Sequence, residues 1–307
     1  MAAIEAAPPA ALAGEAGARS GLLAALAAYS LWGFLPLLFH FLQSVGAVAV
    51  VAERTVWSLV LVGAILLVGG RFGEVRTALS DPRTLRSMLV SSALLGGNWL
   101  LYVWAVESGQ VLEASFGYFI NPLVNVAIGM ILLGEKQNFW QTVSIAIAAT
   151  AIAIQAVGVG GVPYIALGLA VSFGFYGYFR KTANVGSLGG LFVETLLLLP
   201  LAGGYLIYSF ITSGPGPHAD PTLMTLLLLT GPASALPLLL FAFAVQRLRL
   251  TTIGMLQYIA PSIAFVLAIT FFGEDLNPIR LLSFALIWLS LAVFTADSFS
   301  RRNAKAA

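Results

Sequence analysis

The chain has 307 residues, of which 59% are hydrophobic and 9% are charged, and its formal net charge is +2. A soluble domain carries roughly 25% charged residues, so a soluble fold of this composition could not cover its own surface, and lipid is the expected outer solvent. The sequence has no cysteine and only two histidines, which excludes disulfides, thiolate chemistry and Cys/His metal sites.

Apolar stretches long enough to cross a bilayer follow one another along the chain. A bilayer core needs roughly 20 apolar residues per helix. Ten such stretches lie between an Ala-, Pro- and Gly-rich tail at 1–19, which the composition predicts to be disordered, and a basic tail at 301–307. The predicted spans are 20–42, 46–70, 87–106, 112–133, 139–157, 162–180, 188–211, 222–246, 250–272 and 278–299.

The basic residues sort to one side of these spans. With the N-terminus in the cytoplasm, thirteen of the fifteen Lys and Arg residues fall in cytoplasmic joins or tails; Arg280 lies in an opposite join, and Arg54 lies within a span. Cytoplasmic loops are enriched in Lys and Arg. The sequence therefore predicts a multi-pass protein of a bacterial inner membrane with both termini cytoplasmic.

Two segments 139 residues apart share a pattern. The run at 120–122 contains Pro122, and Gly-Glu follows at 134–135; the run at 259–261 contains Pro261, and Gly-Glu follows at 273–274. The same comparison, with small gaps in the joins, aligns other positions of the two halves. The match predicts an internal duplication.

Each predicted copy has five spans, at 20–158 and 162–300, and Glu53 in the first copy aligns with Glu194 in the second. Because five is odd, the second copy must be inverted in the membrane. Inverted repeats are the usual architecture of secondary transporters, with the substrate site at the repeat interface. Duplication for stability alone is the alternative.

Long motifs in this chain resemble those of a known family. They read AYSLWG at 28–33, GNWLLYVWAV at 97–106, LEASFGYFINPLVN at 112–125 and LTTIG at 250–254. In these motifs, and over nearly the whole chain, the sequence resembles the EamA-type carriers of the drug/metabolite transporter superfamily, most closely the RarD branch. The resemblance implies ten helices, one central cavity and export of small amphipathic solutes. RarD is named for chloramphenicol sensitivity, and related members export amino acids, including aromatic ones.

Ionisable groups within spans are costly and are candidate functional residues. The candidates for charge or coupling are Glu53, Arg54, Glu113 and Glu194. A glutamate could carry a proton or meet the amine of a zwitterion, and Arg54 could hold a carboxylate bidentately. Structural ion pairing is the alternative, with Glu113 as a partner of Arg54.

Amides and prolines within spans suggest a polar cavity. The amides are Asn98, Asn121, Asn125 and Gln257. Pro122 and Pro261 occupy matched positions, where each removes a helix hydrogen bond, and matched helix breaks point to a transporter's binding site. The alternative role of the amides is hydrogen bonding between helices.

Aromatic side chains away from the span ends would suit a flat, partly polar solute. The aromatic cavity candidates are Tyr29, Trp32, Tyr102, Tyr118, Tyr176 and Tyr258. Ordinary packing and interfacial anchoring are the alternatives.

The predicted function is that of a secondary transporter, an exporter of amphipathic solutes such as amino acids, especially aromatic ones, working by alternating access. A chloramphenicol-like drug carrier and a passive facilitator are the alternatives. A membrane enzyme is disfavoured because the spans contain no carboxylate pair at acid/base spacing and the chain has no phosphate-binding loop. The expected partners are a small-molecule substrate and membrane lipid, without nucleic acid, metal or cofactor, and the sequence is compatible with a monomer.

Overall fold

In the computed structural model, residues 15–107, 111–159, 164–271 and 278–306 are described; nearly all of them are helical, and these ranges contain no β-strand. The α-helices are α1 (Glu15–His40), α2 (Ala47–Val68), α3 (Phe72–Ser80), α4 (Pro82–Glu107), α5 (Val111–Leu132), α6 (Phe139–Val159), α7 (Tyr164–Thr182), α8 (Ser187–Ser213), α9 (Pro221–Val245), α10 (Leu250–Gln257), α11 (Ile259–Thr270) and α12 (Pro278–Ala306). A short 3-10 helix, Gly216–Ala219, lies between α8 and α9.

Each predicted span corresponds to one long helix, except that α10 and α11 together occupy the ninth. The bounds differ most at the chain ends, because α1 begins at Glu15 and α12 continues to Ala306, within the predicted tails. Five helical segments of the described chain are long and apolar enough to cross a bilayer, and three further apolar helices are shorter. The five are Gly17–His40, Ala47–Val68, Ser187–Ser213, Pro221–Val245 and Leu250–Leu267.

Helix α3 was not among the predicted elements, because it is too short and too polar to be recognised as a span. Arg71 and Glu74 pair across its first turn at 2.6 Å. Val75 and Ala78 are buried on its other side, in the largest apolar core cluster of the described chain. Only an amphipathic helix would place these apolar residues on one face of so charged a segment.

Most of the helix packing joins the first half of the chain to the second. Helix α2 packs on α8 and α9, α5 packs on α7 and α10, and α6 packs on α12. Likewise α1 packs on α9, α10 and α11, and α4 packs on α7 and α8. The two halves therefore share one interior.

The joins gather at two ends of the bundle. At the basic end, Gln246 Nε2 donates to the Val185 carbonyl at 2.9 Å, and Arg249 Nη2 donates to the Lys136 carbonyl at 2.6 Å. We call the other end the histidine end, because His218 lies there in the 3-10 helix and His40 ends α1. The joins of the basic end are 69–71, 133–138, 183–186 and 246–249, and those of the histidine end are 41–46 and 214–220.

Candidate functional site

Arg54 lies seven residues into α2, about 10 Å along the helix from the histidine end. Its Nε donates to Ser234 Oγ of α9 at 2.9 Å. Its Cζ lies 4.4 Å from the ring centre of Trp99 and 5.7 Å from that of Phe39, which are cation–π distances. Among the ion pairs of the described residues, none involves Arg54; the side chain of its predicted partner Glu113 lies outside the described residues.

Two tyrosines stand beside this guanidinium. The rings of Tyr102 and Tyr118 meet edge to face with centres 6.1 Å apart, and both side chains lie near Arg54. Tyr118 is 47% exposed, whereas Trp99, which supports the guanidinium, is buried. These side chains therefore form one partly exposed cluster on α2, α4 and α5. We call the set the Arg54 site: Phe39, Arg54, Trp99, Tyr102, Tyr118 and Ser234.

A packed aromatic cluster joins α1, α7 and α9. The Trp32 and Phe173 ring centres lie 5.8 Å apart, and Tyr176 stacks on Phe241 at 6.0 Å. Tyr29, Tyr176 and Phe241 are buried, while Trp32 and Phe173 are partly buried. Tyr29 and Tyr176 were predicted to line the cavity; in this structure they belong to the packed core, because rings from three helices cover them.

Glu194 is wholly buried and holds a polar cluster together. Its Oε1 lies 3.7 Å from Arg180 Nε and accepts from Ser91 Oγ, and its Oε2 accepts from Tyr176 OH at 3.3 Å. Arg180 is also wholly buried, although its place beside Lys181 had suggested a cytoplasmic join. A Cβ on Gly190 would overlap Arg180 Nη1, so only glycine leaves room for this guanidinium.

Glu53, the predicted counterpart of Glu194, lies near the histidine end. Its Oε2 accepts from Trp57 Nε1 at 2.7 Å, and His218 Nε2 lies 2.6 Å from its Oε1. Partial burial lowers the pKa of His218, but the hydrogen bonds to Glu53 and to the Pro215 carbonyl outweigh it, so the pKa is raised above its ordinary value of 6.5. Glu53 and Glu194 thus both face a basic side chain, one near each end.

The predicted amide group lies between helices. Asn125 Nδ2 donates to Asn121 Oδ1 at 3.1 Å and to Gln257 Oε1 at 2.8 Å, and all three residues are buried. Asn98 donates to the Leu169 carbonyl of α7 at 2.9 Å. In this structure these amides lie at contacts between helices, and Asn125 Oδ1 has no hydrogen-bond partner among the described residues; that they line a cavity stays a prediction.

The two matched prolines differ: the helix is interrupted near Pro261, as predicted, but not near Pro122. Helix α5 continues through Pro122, whose carbonyl would lie 2.5 Å from a Cβ on Gly254, so α10 packs closely against it there. The interruption in the second half lies at Tyr258, and Pro261 is in the first turn of α11, where a missing N–H costs little. Tyr258 is buried, and its OH donates to the Phe119 carbonyl at 3.3 Å.

The basic end is tightly bonded. Glu135 caps the start of α10, because its carboxylate accepts from the Leu250 N–H at 2.6 Å and from the Thr251 N–H at 3.0 Å. Negative charge is favourable at a helix N-terminus. Lys181 Nζ of α7 donates to the Val245 carbonyl at 2.9 Å.

Comparison with known proteins identifies the family. Residues 19–156 match the EamA-like transporter family. The chain is 43% identical to Protein RarD of Salmonella typhi, over 94% of this chain and 98% of that protein. The chain belongs to the RarD branch of the EamA-like transporters. It is also 41% identical to a protein named an uncharacterized transporter in Vibrio cholerae, over 94% of this chain and 95% of that protein.

A more distant RarD relative supports the family assignment, and a solved structure supports the fold. A Pseudomonas aeruginosa protein named chloramphenicol-sensitive protein RarD is 30% identical over 91% of this chain and 94% of its own length. One solved structure shares the fold at 18% identity, with a TM-score of 0.71 over 89% of this chain and 96% of that chain. The family confirms the predicted resemblance: the chain is a multi-pass membrane protein and a transporter.

Within this RarD-like chain, the structure brings Arg54, Tyr102 and Tyr118 together and places the other described candidates elsewhere. Sequence reasoning missed five residues that complete these sites: Phe39, Trp99, Arg180, His218 and Ser234. Two of these residues had a signal in the sequence. Trp99 stands next to the predicted Asn98, and the Gly-Gly pair that ends four residues before Glu194 indicated space for a side chain such as that of Arg180. The partners of Arg54 on α1 and α9 are distant in sequence and carried no local signal.

Proposed function

We propose that this chain is a secondary transporter with ten membrane spans in two inverted repeats, 20–158 and 162–300, which exports small amphipathic solutes by alternating access. The spans are α1, α2, α4 to α9, α10 with α11, and α12. An even number of spans places both termini on one side. The arginines and lysines of the basic end support a cytoplasmic location for that side, in the inner membrane of a bacterium.

The helix contacts support a two-fold relation between the repeats. A two-fold axis would superpose each helix of the first repeat on its counterpart in the second, in the order α1, α2, α4, α5, α6 on α7, α8, α9, α10–α11, α12. Under this exchange, each main helix–helix contact maps onto another main contact or onto itself. Tyr258 bonds to Phe119, its counterpart 139 residues away. Ser144 Oγ donates to the Ser290 carbonyl at 2.7 Å, and Ser290 Oγ donates to the Ser144 carbonyl at 2.8 Å. Such reciprocal contacts occur at a two-fold axis.

The observation that carries the proposal is the difference between the two ends. About 10 Å below the histidine end, Tyr118 is exposed and Arg54 is partly exposed, and we interpret this as an opening toward that end. Toward the basic end, by contrast, Glu194 and Arg180 are wholly buried, and Glu135 and Lys181 bond neighbouring segments together. A carrier that is open to one side and closed to the other has this form.

The aromatic lining of the Arg54 site favours amino acids, especially aromatic ones, as substrates. An aromatic solute could pack on Tyr102 and Tyr118 while its polar group meets the guanidinium. A second candidate is efflux of chloramphenicol-like drugs, which the name of the Pseudomonas aeruginosa relative favours. A passive facilitator would use the same pathway, but its transport would not be coupled to an ion gradient. Since both repeats lie in one chain, a monomer would contain a complete pathway.

Counterflow in proteoliposomes tests the proposal. Vesicles containing the purified protein are preloaded separately with phenylalanine, leucine or chloramphenicol, and uptake of the labelled solute is followed with and without a pH gradient. Exchange of phenylalanine supports the amino-acid exporter, and exchange of chloramphenicol alone favours the drug carrier. If no solute moves faster than in empty vesicles, the proposed substrate classes are wrong.

The proposed topology has its own test, which the cysteine-free sequence makes simple. Ser44→Cys at the histidine end and Asn184→Cys at the basic end each introduce a single exposed thiol. In intact spheroplasts, a membrane-impermeant maleimide should label the first variant but not the second. Labelling of both positions, or of Asn184→Cys alone, contradicts the proposed orientation.

A further inference from the structure

Arg54 and Arg180 both lie in the bundle interior, but only Arg180 has a carboxylate partner among the described residues. Arg180 faces the Glu194 carboxylate at 3.7 Å. Arg54 meets two aromatic rings and one neutral hydroxyl, and the ion pairs of the described residues include none with it. A cation within a span is costly unless a countercharge or a wet cavity accompanies it. Among the described residues, Arg54 therefore has no countercharge, which is the environment expected of a site that binds an anionic group.

The contacts of Arg54 hold the guanidinium while leaving donors available. Trp99 and Phe39 lie over the planar group, and Ser234 takes the Nε–H. A guanidinium has five N–H donors, and no described residue accepts from the Nη atoms of Arg54. Two parallel N–H donors fit the two oxygens of a carboxylate, which is the geometry that arginine recognises best.

The neighbouring carboxylate does not neutralise this charge. Glu53 precedes Arg54 on α2, but one of its oxygens accepts from Trp57 and the other contacts His218. Successive residues of a helix also point about 100° apart. On the open side of Arg54 stand Tyr102 and Tyr118, whose rings offer an apolar surface with polar tips.

From this arrangement we propose that Arg54 binds the carboxylate of the transported solute, and that the Tyr102–Tyr118 pair packs against its flat apolar part. The substrate class is then a compact aromatic acid, in which the carboxylate is required. Neutral solutes of the same shape lack the group that completes the site. The inference rests on the proposed transporter function, since it names what the open site carries.

Binding to the purified full-length protein tests the inference. Titration calorimetry compares 3-phenylpropionate with 3-phenylpropanol, which has the same apolar body without the carboxylate. We expect the wild type to bind the acid roughly ten- to a hundredfold more tightly, as for a hydrogen bond between charged groups. Equal affinity for acid and alcohol, or no binding of the acid, overturns the inference without any mutant.

Variants assign the effect to Arg54. In Arg54→Gln the preference for the acid should disappear, and in Arg54→Lys, which keeps the charge but not the paired donors, part of it should remain. Arg247→Gln is the matched control: this arginine also lies over a ring, that of Phe243 at 3.4 Å, but at the basic end. It should keep the full preference. An undiminished preference in Arg54→Gln overturns the assignment.

Counterflow of the same compounds separates this inference from the proposed function. If the acid binds through Arg54 but is not exchanged, the carboxylate site stands and the proposed transport of this class fails. If neutral solutes are exchanged equally by the wild type and Arg54→Gln while acids are not, the transporter proposal stands and the carboxylate inference fails. Exchange of the acid by the wild type, lost in Arg54→Gln and kept in Arg247→Gln, supports both.

Discussion

His218 Nε2 lies 2.6 Å from Glu53 Oε1, so the only described helical turn between α8 and α9 is bonded to a buried carboxylate of α2. The pair joins the two halves of the chain at the histidine end. It also makes a connection there depend on a histidine whose pKa lies above its ordinary value of 6.5, because Glu53 accepts a hydrogen bond from it.

The first prediction concerns stability and pH. Because the pKa of His218 is raised above 6.5, its contact with Glu53 contributes stability that is fully present below about pH 6.5 and is lost as the pH rises through the folded-state pKa. His218 is 37% exposed, so we expect only about 0.5 kcal/mol. Thermal unfolding of the wild type and His218→Gln between pH 5.5 and 8.5 should differ most at the acidic end. His40→Gln, at the same end, is the control, and a difference that grows with pH contradicts the prediction.

A second prediction concerns coupling to protons. If transport is proton-driven and uses the intramembrane carboxylates, Glu53→Gln and Glu194→Gln should remove the response of uptake to a pH gradient while leaving counterflow. Uptake in proteoliposomes with an imposed gradient measures this. Gradient-dependent uptake that persists in both variants rules out these residues as proton carriers and favours a passive facilitator.

The third prediction concerns the buried ion pair. Arg180→Ala leaves the Glu194 carboxylate without its cation, and we expect a loss of about 3–5 kcal/mol because an unpaired buried charge is costly. Adding Glu194→Gln should restore part of the loss. A double-mutant cycle from thermal unfolding in detergent gives the coupling energy. Strict additivity of the two changes would show that the 3.7 Å contact has no energetic role.

The crossing of α5 and α10 supports a fourth prediction. A Cβ on Gly254 would lie 2.5 Å from the Pro122 carbonyl, so Gly254→Ala must push the backbones apart, at a cost of about 1–3 kcal/mol. Gly97→Ala is the matched control, because nothing lies within 4 Å of the added methyl there. That change should be neutral or slightly stabilising, since alanine favours helix. Equal unfolding temperatures of the two variants would contradict the close approach.

The fifth prediction concerns the cap on α10. Glu135→Gln removes the negative charge that accepts from the Leu250 and Thr251 N–H groups. We expect faster hydrogen exchange of these two amides, roughly tenfold for a loss of about 1.4 kcal/mol. Mass spectrometry of a peptide covering 247–257 measures it. Glu74→Gln breaks the exposed Arg71 pair at the same end and should leave this peptide unchanged.

Arg54 and Arg180 show where sequence reasoning stops. The sequence placed Arg54 within a span, which the structure supports, but it placed Arg180 in a join beside Lys181. Whether an arginine at a helix end turns inward depends on the space it finds, and the space for Arg180 is supplied by Gly190 and Glu194 of another helix. No local pattern around residue 180 encodes that space.

The sequence by itself determined where the long helices lie and that the chain is a membrane transporter of its family. Long apolar runs have few solutions in lipid, where the backbone must bond within its own helix. The tertiary structure alone decided which polar side chains are buried between helices and which stay exposed. Asn121 and Asn125 share a helix face by their spacing, but that face meets Gln257 of α10, whereas Tyr118 on the same helix is exposed and lies beside Arg54. Helical periodicity groups side chains on a face, and only the packing of helices distant in sequence determines what the face meets.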